Sequence, residues 1–124
     1  MRFRILAGIA LVAAPVSAAA AMPVSTFLDK AASLKRKGPL AMFSGDLKLL
    51  TSQVKRDANE LMAENKAAAA AGRRKAYCTP PGGVEMGTKD VVAAMQSVPA
   101  AQRARTSTKQ ALSAYFARRF PCKG

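Results

Sequence analysis

The sequence predicts an all-α fold: a small bundle of about four helices with one disulfide, preceded by an N-terminal signal peptide. In four segments apolar residues recur every three or four positions, and glycine or proline follows each segment. No segment alternates polar and apolar residues convincingly over five positions, and β-branched residues are sparse, so we expect no sheet. The sequence contains two cysteines, which can form one intramolecular disulfide.

The first 21 residues have the pattern of a secretory signal peptide. Arg2 and Arg4 precede an uncharged run from Ile5 to Val16, which small residues then follow. The alternative, a membrane anchor, is disfavoured because this alanine-rich run is short for a hydrocarbon core of about 30 Å. We therefore expect an exported, periplasmic protein in which residues 1–21 are the signal peptide and residues 22–124 form one domain. The candidate cleavage sites follow Ala18, Ala20 and Ala21.

The chain is strongly basic, with a formal net charge of +13 that becomes +11 when Arg2 and Arg4 are removed. Such a surface favours anionic partners. An exported protein does not normally meet nucleic acid, so we expect no nucleic-acid partner. Anionic lipid, cell-wall polymers and acidic proteins are the anions that the periplasm offers. The alternative interpretation is that the charge only keeps a small domain soluble.

Cys78 and Cys122 are the only possible intramolecular pair, and they lie 44 positions apart. Pro80, Pro81 and Pro121 stop helices beside them, which leaves extended backbone that can bring the sulfurs together. Redox catalysis and an ordinary zinc site are poor alternatives, because the sequence has neither a Cys-x-x-Cys motif nor a histidine. On the chain-entropy model, a loop of this size contributes about 4 kcal/mol to stability.

The first predicted helix follows a cap at Ser25 or Thr26 and ends at Gly38 and Pro39. The second follows a cap at Ser44 or Asp46, and its residues 46–71 would make it about 39 Å long at 1.5 Å per residue. The expected inward residues are Phe27, Leu28, Ala31 and Leu34 on the first helix, and Leu47, Leu50, Val54, Ala58, Leu61, Asn65 and Ala68 on the second.

Residues 73–87 are rich in proline and glycine and should form a long irregular connection. A third helix, capped by Thr88, ends at Pro99. Ser107 and Gln110 have the spacing of a capping box and start a fourth helix. The expected inward residues are Val91, Val92 and Met95 on the third helix, and Ala111, Leu112, Tyr115, Phe116 and Phe120 on the fourth.

The sequence offers little catalytic chemistry, since histidine is absent from all 124 positions. Glu60 and Glu64 lie one helical turn apart, but exposed pairing within the helix with Arg56 and Lys66 explains them better than a paired-carboxylate site. Ser107 is the expected cap of the fourth helix, which argues against a serine–lysine dyad with Lys109. We therefore expect no enzyme, no catalytic residue, no cofactor and no metal.

The positive signal is a set of cations around the two cysteines. If Cys78 and Cys122 are bonded, the cations that flank them come close together and form a candidate binding surface for carboxylates or phosphates. The alternative interpretation is that these cations are ordinary solvent-exposed surface residues without a binding role. The candidate residues are Arg73, Arg74, Lys75, Arg103, Arg105, Arg118 and Arg119.

The segment from Tyr77 to Cys122 resembles the Rap/Tai family of immunity proteins of type VI secretion. The matching elements are a Cys-x-Pro, a Val-x-Met in a glycine-containing turn, a short helix that ends near a proline, and a last helix that closes in Phe-Pro-Cys. By this match Cys78 and Cys122 take the positions of the family disulfide. The N-terminal half departs from the pattern, since members generally have further cysteines there and residues 27–50 have none.

The resemblance implies a small, helical periplasmic protein, often a homodimer, that binds a secreted peptidoglycan amidase and blocks its active-site cleft. We therefore expect a non-enzymatic binding protein that occludes a protein partner. Two alternatives remain open. One is a stress chaperone similar to the HdeA acid-stress family, and the other is a basic protein that binds an anionic membrane surface.

Overall fold

The computed structural model describes residues 21–123. Four α-helices form the bundle: α1 (Val24–Lys37), α2 (Gly45–Ala70), α3 (Thr88–Gln96) and α4 (Thr108–Arg119). Two short 3₁₀ helices, Gly38–Phe43 and Ala100–Gln102, lie between them. Among these residues there is no strand beyond one isolated bridge between Pro23 and Ser107, so the predicted all-α class is confirmed. The predicted signal peptide lies, except for Ala21, outside the described residues.

The start of α1 is attached to the segment that precedes α4. Val24 donates its backbone N–H to the Thr106 carbonyl at 2.8 Å, and Thr108 donates to the Met22 carbonyl at 2.8 Å. Ser25 also donates its backbone N–H to a loop carbonyl, that of Arg103. The first N–H donors of α1 are therefore satisfied by another part of the chain and need no side-chain cap. Pro23 occupies the N-cap position, so the predicted cap at Ser25 or Thr26 is wrong.

The other helix starts follow local capping chemistry. Ser44 caps α2, and Ser107 with Gln110 makes the predicted capping box of α4. The predicted Thr88 cap is wrong by one residue, since Thr88 is already helical and Gly87 precedes α3. The Asp90 carboxylate accepts the Gly87 N–H at 3.0 Å, which is the N3 half of a capping box, while the Asp90 N–H donates to the Gly87 carbonyl oxygen at 3.1 Å.

The core lies where α4 packs against α2 and α3 while α1 closes the bundle against α2 and α3. Met95 and Leu112 are fully buried at its centre, and Tyr77 contributes its ring from the long connection. Phe116 contacts that ring with a centroid distance of 5.1 Å. The other buried apolar residues are Val24, Phe27, Leu34, Leu50, Leu61, Ala94, Val98 and Ala111.

The inward face of α2 differs from the predicted stripe. Leu47 is 40 % exposed, whereas the polar residues Gln53 and Asp57 are buried among the apolar ones. Asp57 accepts hydrogen bonds from Gln53 Nε2 at 2.9 Å and from Thr108 Oγ1 on α4 at 2.5 Å. Because these polar groups satisfy one another, they can lie in the α2–α4 interface without facing water.

Candidate binding surface

The C-terminus of α2 determines where the basic residues begin. Gly72 has a φ of +70°, which side-chain-bearing residues rarely adopt, and it turns the chain out of the helix. Its N–H donates to the Ala69 carbonyl, and the Arg73 N–H donates to the Ala68 carbonyl at 2.8 Å. This Schellman motif fixes the direction in which the chain leaves α2, and so the first basic residue has a defined position.

Asn65 fastens the far side of the same loop to α2. Its Oδ1 accepts the Ala76 N–H at 3.0 Å, and its Nδ2 donates to the Tyr77 carbonyl at 2.9 Å. The sequence predicted Asn65 only as a member of the inward stripe, and so missed this role. The sequence contained one signal for this role. Asn65 places an amide at a stripe position where an apolar residue is expected, and an irregular segment follows shortly after it.

The disulfide closes the structure beside this loop. Cys78 and Cys122 are bonded, as predicted, with their Cα atoms 4.9 Å apart. The Cys78 N–H also donates to the Phe120 carbonyl at 2.8 Å. The Lys75 carbonyl oxygen lies 3.8 Å from Cys122 Sγ, so the basic residues lie directly beside the C-terminal segment.

Arg73, Arg74 and Lys75, together called the basic loop here, are all exposed. Within residues 21–123 their side chains make no ion pair and no hydrogen bond. The loop is nevertheless held at both ends by the Schellman motif, by Asn65 and by the disulfide. It presents three uncompensated cations on backbone whose position is restricted.

The remaining candidate cations have different surroundings, and three of them contact the protein itself. Arg103 donates to the carbonyls of Val98 and Gln96, at 2.8 and 3.0 Å, and so covers the C-terminal end of α3. Arg118 donates to Ser97 Oγ at 2.9 Å, while Arg105 is exposed. The candidate residues are therefore not equivalent, because part of the set stabilises α3.

Arg119 is the most strongly engaged of the predicted surface residues. Its Nη1 lies 2.9 Å from Asp90 Oδ1 and 2.6 Å from the Tyr115 hydroxyl oxygen, and its guanidinium lies over the Tyr115 and Phe120 rings. The hydrogen bonds to Tyr115 and Asp90 raise the pKa of Arg119. The Gly87 N–H and Arg119 lower the pKa of Asp90. Arg119 therefore ties α4 to the start of α3.

A shallow cleft of about 310 Å³ lies beside the basic loop. Tyr77 forms part of its wall, and burial together with nearby Glu64 raises the pKa of its hydroxyl. That hydroxyl is buried without a hydrogen-bond partner among the described residues. The lining residues are Met62, Asn65, Lys66, Ala69, Lys75, Tyr77 and Thr79.

The groups that resembled catalytic pairs have structural roles. Lys109 on α4 forms ion pairs with both Glu60, at 3.2 Å, and Glu64 on α2. This differs from the predicted pairing within α2, because α4 brings a cation between the two carboxylates. The hydrogen bond to Glu64 and the one to Glu60 raise the pKa of Lys109. Ser107 Oγ accepts the Gln110 N–H at 3.1 Å as a helix cap.

The described residues show neither a metal site nor a membrane-spanning helix. Residues 21–123 contain no group of three or more histidine, cysteine or acidic side chains arranged to hold a metal ion. No helix within the same residues has both the length and the apolar character needed to cross a membrane.

Comparison of the chain with protein-family models, with curated proteins and with solved structures gave no significant match. The resemblance to the Rap/Tai family therefore stays a prediction that depends on the residues from Tyr77 to Cys122. The geometry of the basic loop is the firmest basis for assigning a function.

Proposed function

We propose that the protein is an exported, non-enzymatic binding protein that covers an acidic surface of a protein partner with its basic loop. The observation that best supports this proposal concerns Arg73, Arg74 and Lys75. Their side chains have no intramolecular partner among residues 21–123, although hydrogen bonds and the disulfide hold the backbone around them. Lys30, Lys109 and Arg119, by contrast, are paired with carboxylates of the same chain.

A restricted loop favours binding because little conformational entropy is lost when the partner arrives. The Gly72 turn, the two hydrogen bonds of Asn65 and the Cys78–Cys122 bond all restrict this loop before binding. Arginine adds specificity, since its planar guanidinium can donate two parallel hydrogen bonds to one carboxylate. The shallow cleft beside Lys75 supplies a wall against which a partner side chain can lie.

The partner that we propose is a secreted peptidoglycan hydrolase of the amidase class, occluded as in type VI secretion immunity. The resemblance of residues 77–122 to the Rap/Tai family supports this choice. Occlusion needs a fixed surface and no nucleophile. Ser107 serves as a helix cap and Lys109 as an ion-pair partner of Glu60, so these two residues have structural roles. The signal-peptide pattern and the disulfide both support a periplasmic location.

The test uses a cell-wall hydrolase encoded beside the gene for this chain. The hydrolase is directed to the periplasm of a susceptible strain with and without the full-length protein, and survival is measured. We expect the wild-type protein to protect the cells. The triple variant Arg73→Glu, Arg74→Glu, Lys75→Glu should lose protection, and its affinity for the purified hydrolase should fall by at least about a hundredfold, since like charges then face each other.

A matched control makes the same change of charge elsewhere, at the exposed residues Lys55, Arg56 and Lys89. This second triple glutamate variant should protect as the wild type does. Equal loss of protection in both variants would contradict the role of the basic loop, because it would show that protection depends only on the net charge of the protein. Absence of protection by the wild-type protein, together with absence of a complex, would contradict the occlusion proposal.

A further inference from the structure

A second surface lies at the opposite end of α2 from the basic loop. The 3₁₀ helix Gly38–Phe43 joins α1 to α2, and it exposes three large apolar side chains to water. Phe43 is 89 % exposed, Met42 79 % and Leu40 69 %. These three residues are called the apolar tip here. Scattered apolar residues on a surface need no explanation, but three of them within four positions form a patch that indicates an interaction site.

The 3₁₀ geometry groups these side chains. With three residues per turn, Leu40 and Phe43 lie on the same side of the helix. Ala41 is half-buried against the core and orients the segment, so that its large side chains point away from the bundle. Gly38, with a φ of +57°, makes the turn that allows the 3₁₀ helix to leave α1 in this direction.

Exposed cations lie on both helices that adjoin the apolar tip. Lys35, Arg36 and Lys37 occupy the last turn of α1, and Lys48 lies in the first turns of α2; all four are exposed. Asp46, the first carboxylate after the tip in the sequence, is already paired with Lys30 at 3.1 Å. The tip therefore combines protruding apolar side chains with a flank of cations that form no ion pair within residues 21–123.

We propose that the apolar tip inserts into the surface of an anionic lipid bilayer. Lys35, Arg36, Lys37 and Lys48 would then lie among the headgroups. A fluid bilayer accepts side chains that protrude one by one, whereas a protein partner needs a matching pocket for each. Long basic side chains can reach the headgroup layer while their neighbours enter the acyl region. This surface is separate from the basic loop, so the inference goes beyond the binding function proposed above.

A second copy of the chain is a poorer occupant for the apolar tip. In a two-fold contact the same patch meets itself, so Lys35, Arg36 and Lys37 of one copy would face the same residues of the other. That contact would bring like charges together around a small apolar centre, which costs free energy. An anionic lipid surface neutralises these cations instead, and each contributes roughly fivefold to affinity at low salt.

The test uses a single tryptophan, since the protein contains none. Phe43→Trp places the reporter in the apolar tip, and its emission is recorded as vesicles of phosphatidylglycerol and phosphatidylcholine are added. We expect a blue shift, together with quenching by lipids brominated in the acyl chain. The matched control is Met62→Trp, which places tryptophan at an exposed apolar position toward the other end of α2 and should show neither effect.

Loss of binding is measured with the same vesicles by sedimentation. The double variant Leu40→Ser, Phe43→Ser should bind at least about tenfold more weakly, since it removes the inserted apolar surface. Changing Lys35, Arg36 and Lys37 to glutamine should weaken binding about a hundredfold at low salt and by much less at high salt. Because all five residues are exposed, circular dichroism should show unchanged helix content.

Three outcomes would overturn the proposal. The first is an unshifted Phe43→Trp emission at low salt. The second is vesicle binding that disappears with the basic-loop variant and persists in the tip variants. The third is a dimer in sedimentation velocity that Leu40→Ser, Phe43→Ser converts to a monomer while vesicle binding is unchanged. None of these outcomes depends on the hydrolase assay, so the two proposals fail independently.

Discussion

Asp57 lies on the buried face of α2, where it is only 3 % exposed and accepts hydrogen bonds from Gln53 and Thr108. Thr108 is fully buried at the start of α4. The bond between these two side chains joins positions that are 51 residues apart, and so it fixes how α2 and α4 lie against each other. A buried network of this kind stabilises a fold only while every member keeps its partner.

We predict that Asp57→Ala lowers the free energy of unfolding by about 2–3 kcal/mol, because it removes the acceptor of a buried hydroxyl and leaves a small cavity. Urea unfolding followed by circular dichroism measures this difference. The exposed residue Asp29 provides the control, and Asp29→Ala should change stability by less than about 0.5 kcal/mol. Adding Thr108→Val to Asp57→Ala should cost less than the sum of the single changes. Strict additivity would show that the two side chains do not interact in solution.

Single residues also show what the sequence could not provide. Asp57 and Gln53 have the spacing of the inward stripe of α2, but polarity alone places them outside, and only the facing Thr108 makes their burial possible. The role of Asn65 depends in the same way on a loop that returns to α2. Such pairings join positions far apart in the chain, so local periodicity does not reveal them.

The helices themselves were largely predictable, because their signals are local. Ser44, Ser107 and Gln110 have the chemistry of helix starts, and Gly38 and Gly72 that of helix ends. The predictions failed where a distant segment replaced the local cap, as the residues before α4 do for α1. The apolar tip was also missed, because helical periodicity shows neither the 3₁₀ helix Gly38–Phe43 nor the exposure of Leu40 and Phe43.

The contact between α3 and α4 carries a pH dependence. Asp90 accepts hydrogen bonds from the Gly87 N–H, from Arg119 and from the Tyr115 hydroxyl, and the first two chiefly lower its pKa. A carboxyl with a lowered pKa in the folded state adds stability above its unfolded pKa of about 4. That stability is lost as the pH falls through the lower, folded pKa, so α3 should detach from α4 most easily in acid.

We predict that Asp90→Asn flattens the dependence of stability on pH between about pH 4 and pH 2, since the variant has no carboxyl there to protonate. Urea unfolding at a series of pH values measures the slope. Asp29→Asn removes an exposed carboxylate without a hydrogen bond among residues 21–123 and controls for net charge. A variant slope equal to that of the wild type would contradict the interactions assigned to Asp90. An HdeA-like chaperone would show a far larger loss of structure in acid.

At the scale of the whole molecule, the two proposed binding surfaces lie at opposite ends of α2, whose 26 residues span about 39 Å. The apolar tip lies at the N-terminal end of α2, and the basic loop with the disulfide lies at the other. Four of the seven carboxylates form ion pairs at the surface of the bundle, with Lys30, Lys109 and Arg119. The positive charge that remains is therefore available at both ends, where the proposed anionic partners bind.

The disulfide gives the last prediction, because it holds the basic loop and the C-terminal segment in one place. Removing it as Cys78→Ser, Cys122→Ser should lower the free energy of unfolding by about 4 kcal/mol, since the unfolded chain regains the freedom of a loop spanning 44 positions. Such a loss is a large share of the stability of a small domain, about 5–10 kcal/mol. Urea unfolding of the variant and of the oxidised wild type measures the difference.

The same variant separates stability from binding. At a temperature where it stays folded, its basic loop keeps all three cations and the Asn65 bonds but loses the covalent restraint at Cys78. Affinity for an acidic partner should therefore fall, through a larger entropy cost of ordering the loop, while vesicle binding by the apolar tip should not change. Thiol titration of the exported wild-type protein provides the decisive check. Two free thiols in the native protein would show that no disulfide restrains the basic loop. Unchanged affinity in the variant would show that Asn65 and Gly72 hold the loop without the disulfide.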